Sequence, residues 1–180
     1  GCNKVVWAAY KDEIPKISAS KAADGWEEYK NGIYMTYIGE GKTVDAVYEN
    51  GKSGVKARFP NMTQDEQNWF ARAEETQSES KNDRFRYKEG SFPPITDTSN
   101  LSVYIFPGGS GGSWMWHMEY RKVTSLDNST REVTLDTACA YTLGTGTHYY
   151  INGSLEFLDY EGEFYYNQRT GMLYYMPYDK

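Results

Sequence analysis

The run THYYINGSLEFLDYEGEFYYNQRTGMLYYMP, Thr147 to Pro177, decides the fold class. It reads as an aromatic-rich strand, a short apolar segment and a hairpin. The hairpin arms are Glu163-Phe164-Tyr165-Tyr166 and Met172-Leu173-Tyr174-Tyr175-Met176. Between them, Asn167-Gln168-Arg169-Thr170-Gly171 has hairpin-loop length and places Gly where a positive φ is expected. Tyr and Phe at this density suit a pleated, half-buried surface.

Working outward, the same grammar recurs. Asn31-Gly32 and Asn50-Gly51 are tight-turn signals. The first precedes a strand through Ile33-Tyr34-Met35-Thr36-Tyr37-Ile38; the second is flanked by Val44–Tyr48 and Val55–Phe59. Leu101–Phe106 reads as a strand, and Val123–Leu126 with Glu132–Leu135 as another hairpin. In Trp114-Met115-Trp116-His117-Met118-Glu119-Tyr120 strict alternation predicts a strand with Trp114, Trp116, Met118 and Tyr120 on one face. Thr63-Gln64-Asp65-Glu66 has capping-box spacing, so a short helix is expected through Glu75. Residues 76–98 lose periodicity and read as a long loop. The sum is an all-β, antiparallel β-sandwich with one short helix and long loops.

Composition narrows the function. A chain of 180 residues fits one domain and can bury ~70% of its unfolded surface. Its 17 Tyr, 7 Phe and 5 Trp imply a core of large rings whose polar tips need partners. A net charge of −6 argues against nucleic acid and anionic membranes, which demand a basic footprint. No apolar run approaches the ~20 residues of a membrane span. Cys2 and Cys139 are too few to define a framework, and whether they pair is open.

Several motifs resemble a known family. Asn152, Leu158-Asp159, Gly162-Glu163-Phe164-Tyr165-Tyr166, Thr170-Gly171, Leu173-Tyr174-Tyr175 and Pro177 match the closing motif of a β-sandwich inserted into right-handed β-helix glycoside hydrolases. Ala57-Arg58-Phe59-Pro60-Asn61 is similar to an "ARYPN" element of the same insertion, with Phe59 for Tyr. Val5-Val6-Trp7-Ala8-Ala9-Tyr10 through Ser18 looks like a coil of the β-helix itself. Residues 62–113 match nothing in that family. The resemblance, to glycoside hydrolase family 141 and its relatives, implies a division at about residue 22: a β-helix remnant over 1–22 and the inserted sandwich over 23–180. It further implies a secreted or cell-surface, monomeric accessory domain that partners the parent β-helix and a plant cell-wall polysaccharide, pectin or xylan. No cofactor is implied. Arg58, Asn61, Asn152, Asp159 and Glu163 are then structural, at the return to the β-helix.

The residues also carry candidates of their own. Glycosidases generally use two carboxylates. Glu161 and Glu163 on one strand face would stand ~7 Å apart, with Asp159 two residues earlier. Such acids are also common at solvated strand starts, and the resemblance places catalysis outside the insertion. His117 and His148 lack ligand-spaced neighbours for zinc. The remaining hypothesis is aromatic: exposed Trp and Tyr stack on the C–H faces of sugars. Trp114, Trp116 and Tyr120 are the candidates, with Trp69 added from the expected helix. The competing reading puts these alternating rings in the sandwich core. It weighs more for Trp116 than for Trp114, which adjoins the glycine-rich loop. Three functions follow: a carbohydrate-binding or groove-shaping accessory domain, a ligand-free structural insertion, and a catalytic fragment using Glu161 and Glu163.

Overall fold

The computed structural model describes residues 4, 6, 8–14, 18–63, 69–76, 78–79, 81–95, 97–108 and 114–178. A sheet of five strands has the order β1(Glu27–Lys30), β2(Ile33–Tyr37), β14(Met172–Tyr175), β13(Glu163–Asn167), β5(Val55–Lys56). A second has the order β6(Arg58–Phe59), β12(His148–Asn152), β9(Ser102–Phe106), β10(Glu119–Asp127), β11(Glu132–Leu135), β8(Arg84–Arg86), with β7(Ala71–Arg72) also on β12. A short ribbon joins β3(Tyr48–Glu49) to β4(Lys52–Ser53). The pairings are antiparallel except for β5, which runs parallel to β13. The fold is an all-β sandwich.

The closing run folds as its sequence indicates. Strand β12 leads into a 3-10 turn, Leu155–Phe157, capped by Ser154, and then into the β13–β14 hairpin. Gly171 adopts φ +70°, and a Cβ there would lie 2.6 Å from the Gly39 carbonyl carbon. Asn167 Oδ1 accepts the N–H groups of Arg169 and Thr170, both at 3.1 Å, which fixes the turn. Asn50 and Gly51 both have positive φ, as a tight primed turn requires. Its arms are only two residues each, because Val55–Lys56 leaves to join β13 and Arg58–Phe59 to join β12.

The dense rings of the hairpin serve two cores. Tyr165, Tyr174 and Met176 face the seven-stranded sheet and pack with Val103, Ile105, Val133, Tyr149 and Ile151. On the opposite face Phe164, Leu173 and Tyr175 form a second, smaller cluster with Trp26, Ile38, Val44 and Val47. The five-stranded sheet is thus covered on both sides, which explains why its strands show runs of aromatic residues rather than clean alternation.

Three local expectations are corrected. Of the helix expected over residues 63–75, residues 64–68 lie outside the described ones. Trp69 and Phe70 form a bend, and Ala71–Arg72 is a strand on Tyr149 and His148. Backbone pairing to β12 outweighs the local helical signal. The long loop at 76–98 contains β8, whose Phe85 is fully buried. A single apolar residue between two arginines is too short a pattern to read as a strand. The strand expected at 114–120 begins only at Glu119, and Trp114–Met118 is a turn with a 2.9 Å bond from His117 N–H to the Trp114 carbonyl. Glu119 pairs with Ile105, so the ladder would next need Phe106 and then Pro107. Proline offers no N–H, and the pairing stops.

Candidate functional site

The broken strand leaves its rings on the surface. Trp116 is 74% exposed and Trp114 40%, so the core reading of Trp116 is overturned. Their indoles lie nearly parallel, 15° between planes and 5.6 Å between centroids. Tyr141 meets Trp114 edge-on at 4.6 Å. His117 stands edge-on to Tyr141 at 5.2 Å. Met115 and Met118 are exposed beside them.

This platform hangs on one buried carboxylate. Glu119 Oε1 accepts the Ala140 N–H at 2.9 Å and hydrogen-bonds Nε2 of His117 at 3.0 Å. Its Oε2 accepts from Arg121 Nη2. One side chain therefore ties the turn carrying both tryptophans to the loop carrying Tyr141. Because the two indoles stack on each other, the outer face of Trp116 is the broad apolar surface left open to solvent. Sequence reasoning missed Tyr141, His117 and Glu119. Tyr141 sits in DTACAYTLGTGT, a stretch of small residues with no periodic signal.

Tyr120 and Trp69 occupy different surroundings. Tyr120 packs against Tyr104 at 5.0 Å with the rings tilted by 59°, and Tyr104 lies flat on Tyr150 at 4.6 Å and 12°. The Arg58 guanidinium covers Tyr150 at 3.7 Å. The four side chains form a ladder across β10, β9, β12 and β6, on the face opposite the main core. Burial pushes the Tyr150 hydroxyl up to about 12 and raises Tyr104 as well, while burial lowers Arg58 from its usual value. Arg58 closes the ladder by donating through Nε to the Pro60 carbonyl at 2.8 Å and through Nη2 to that of Trp69. Trp69 is half-buried, its indole N–H donating to the Thr63 carbonyl at 2.6 Å.

The motif residues Arg58, Asn61, Asn152, Asp159 and Glu163 stand where β6 meets the returns into β12 and β13. Asn152 pairs with Arg58 across the ladder and accepts from Ser102 through Oδ1. Asn61 Nδ2 donates to Asp159 at 2.9 Å. Glu163 is 2% exposed; its Oε1 accepts the Arg58 N–H at 3.4 Å, and its Oε2 has no hydrogen-bond partner. Burial, then the nearby Asp159 charge, pushes its carboxyl up to about 8. Glu161 is exposed in the turn before β13, so the two glutamates do not share a strand face as the pair reading requires. Among the described residues, no group of three or more His, Cys, Asp or Glu is placed to hold a metal. Cys139 is a buried free thiol raised to about 12, chiefly by burial, and Cys2 lies outside the described residues.

Comparison with solved structures adds one likeness. The chain superimposes over 87% of its length on a protein titled glycoside hydrolase, with a TM-score of 0.61 and 14% identity. The two share a fold. This chain spans 28% of the length of that protein. No family model matches the sequence, and no curated protein matches it.

Proposed function

We propose that this chain is a non-catalytic accessory domain of a larger glycoside hydrolase and holds a glycan on the Trp114–Trp116–Tyr141 platform. The observation that carries the reading is the exposed, nearly parallel tryptophan pair on a support built around buried Glu119. Trp114, Met115, Trp116 and Met118 are exposed together, and a contiguous apolar patch of this kind marks an interaction surface. The fold shared with about a quarter of a glycoside hydrolase supports the accessory role. In the finer form of the proposal, the parent is a secreted or cell-surface β-helix enzyme, and residues 1–22 belong to its solenoid. The glycan is then a plant cell-wall polysaccharide of the xylan or pectin type. Glu163, enclosed and protonated, and Glu161, on the surface, are left without a catalytic part.

The test is titration calorimetry of the chain with xylan and pectin oligomers, repeated on Trp116→Ala. Binding that weakens about tenfold or more, the loss of ~1.4 kcal/mol or more, supports the platform. Thermal melting at the parental temperature shows that the variant is folded. No binding across both glycans, or binding indifferent to Trp116, contradicts it. Reducing-sugar release by the parental chain that is lost in Glu163→Gln would restore the catalytic reading.

A further inference from the structure

A second feature lies where the two sheets join. The chain crosses from β5 to β6 through Ala57, and beside this crossing opens a cleft of about 180 Å³. Its lining is unlike the chain as a whole. The charged residues in it are Lys42 and Lys56, and among the described residues no carboxylate lines it, although Asp45 pairs with Lys56 from outside the lining and the chain carries a net charge of −6. Asn100, Asn152 and Gln168 contribute carboxamides, and Tyr120 contributes a ring that is half exposed.

The walls are held in place. Tyr120, the outer end of the ladder, is backed by Tyr104. Asn100 Nδ2 donates to the Tyr165 hydroxyl at 3.2 Å, and Asn152 Oδ1 accepts from Ser102. The Lys42 N–H donates to the Tyr166 hydroxyl at 3.1 Å, which in turn donates to the Gly39 carbonyl; the Lys42 ammonium donates to the Ile38 carbonyl and keeps two of its three N–H groups for a ligand. Lys56 contacts Asp45 at 3.3 Å, but both side chains are largely in water, where such pairs contribute little and exchange readily. The cleft is smaller than the ~300–1,000 Å³ that takes a drug-sized ligand, and it suits a single ring.

We propose that this cleft binds one uronic-acid residue of an acidic glycan. The apolar face of the pyranose lies on Tyr120, the carboxylate is held by Lys42 and Lys56, and the carboxamides of Asn100, Asn152 and Gln168 take the hydroxyls. Amides both donate and accept, as sugar hydroxyls do, whereas the lysines only donate and so select an anion. The site uses neither tryptophan, so it stands or falls apart from the platform.

The experiment is calorimetric titration of the whole chain with three probes of equal length: oligogalacturonate, its methyl ester and a neutral xylo-oligosaccharide. Oligogalacturonate is expected to bind, to weaken as salt rises, and to lose at least tenfold on methyl esterification. Lys42→Gln with Lys56→Gln, and separately Tyr120→Ala, are expected to weaken it at least tenfold. Both lysines are partly exposed, and unchanged melting of the double variant shows that the fold survives. Equal affinity for acid and ester overturns the proposal, as does indifference to the lysine changes. Inorganic phosphate displacing the oligomer equally well would also overturn it, since the cleft would then read charge without sugar. If Trp116→Ala abolishes uronate binding and the lysine variants do not, the acid binds on the platform instead and the cleft assignment fails.

Discussion

Glu163→Gln should make this protein more stable at neutral pH. The carboxyl is 2% exposed and its Oε2 has no hydrogen-bond partner; the backbone N–H groups of Arg58, Asp159 and Tyr160 offset only part of the cost of burial. Arg58 brings its backbone to Glu163, while its guanidinium reaches away to Tyr150 and the carbonyls of Pro60 and Trp69. An anion in that place would be poorly compensated, and so the native carboxyl keeps its proton to about pH 8 against an ordinary value of 4.5. Between these values the folded chain binds more protons than the unfolded one, and stability falls as pH rises through the window. At pH 7 the unfolded carboxyl lies 2.5 units above its own pKa, worth on the order of 3 kcal/mol of stability forgone. Glutamine mimics the neutral acid, keeps the Oε1 acceptor and has no proton to lose. Urea unfolding at pH 5, 7 and 8.5 measures the difference. The two proteins should be nearly equal at pH 5, with the variant ahead by about 1–3 kcal/mol at pH 7 once imperfect amide packing is allowed for. A variant less stable at pH 7, or a gap independent of pH, would show that native Glu163 is ionised and refute the reasoning.

Other perturbations follow from the same geometry. Gly153 has φ +92°, and a Cβ there would stand 2.0 Å from the Asn100 carbonyl oxygen, so Gly153→Ala should destabilise by several kcal/mol, on the order of 3 or more, in urea melts. Arg58→Ala removes two side-chain hydrogen bonds and the guanidinium over Tyr150; a loss of about 2–4 kcal/mol is expected, with Arg58→Lys recovering only a small part because lysine lacks the planar fork. Glu119→Ala should free the tryptophan turn from the Tyr141 loop. Glycan affinity should then drop several-fold with both tryptophans still present, as read by titration beside a melting curve. Affinity left intact would show that the platform needs no such support.

The parts of the fold legible in the sequence are those fixed by short-range chemistry. Asn31-Gly32, Asn50-Gly51 and Gly171 marked turns because positive φ leaves few residue choices, and the structure has each. The β13–β14 hairpin and the β10–β11 hairpin lie where alternation and turn residues agreed. What misled was alternation without a partner. Trp114 to Tyr120 has the period of a strand, yet Pro107 on the opposite strand ends the ladder at Glu119. That failure turned a core assignment for Trp116 into an exposed ring, and it was invisible without knowing that β9 neighbours β10. Residues 69–75 failed similarly, since β7 exists only because β12 lies beside it. The candidate site was half legible. Its tryptophans stood out by type, whereas Tyr141 and the Glu119 support depend on a contact between segments about 20 residues apart.

The central claim, that the exposed tryptophan pair is a glycan-binding platform, is tested most directly by following the indole N–H signals in a nitrogen–proton correlation spectrum. Trp26 and Trp69 donate to the carbonyls of Ala23 and Thr63 and serve as internal references. On titration with xylan or pectin oligomers, the Trp114 and Trp116 signals should shift together and saturate while those of Trp26 and Trp69 stay still. If Trp114 and Trp116 do not move with either glycan, the platform does not bind sugar and the account is wrong.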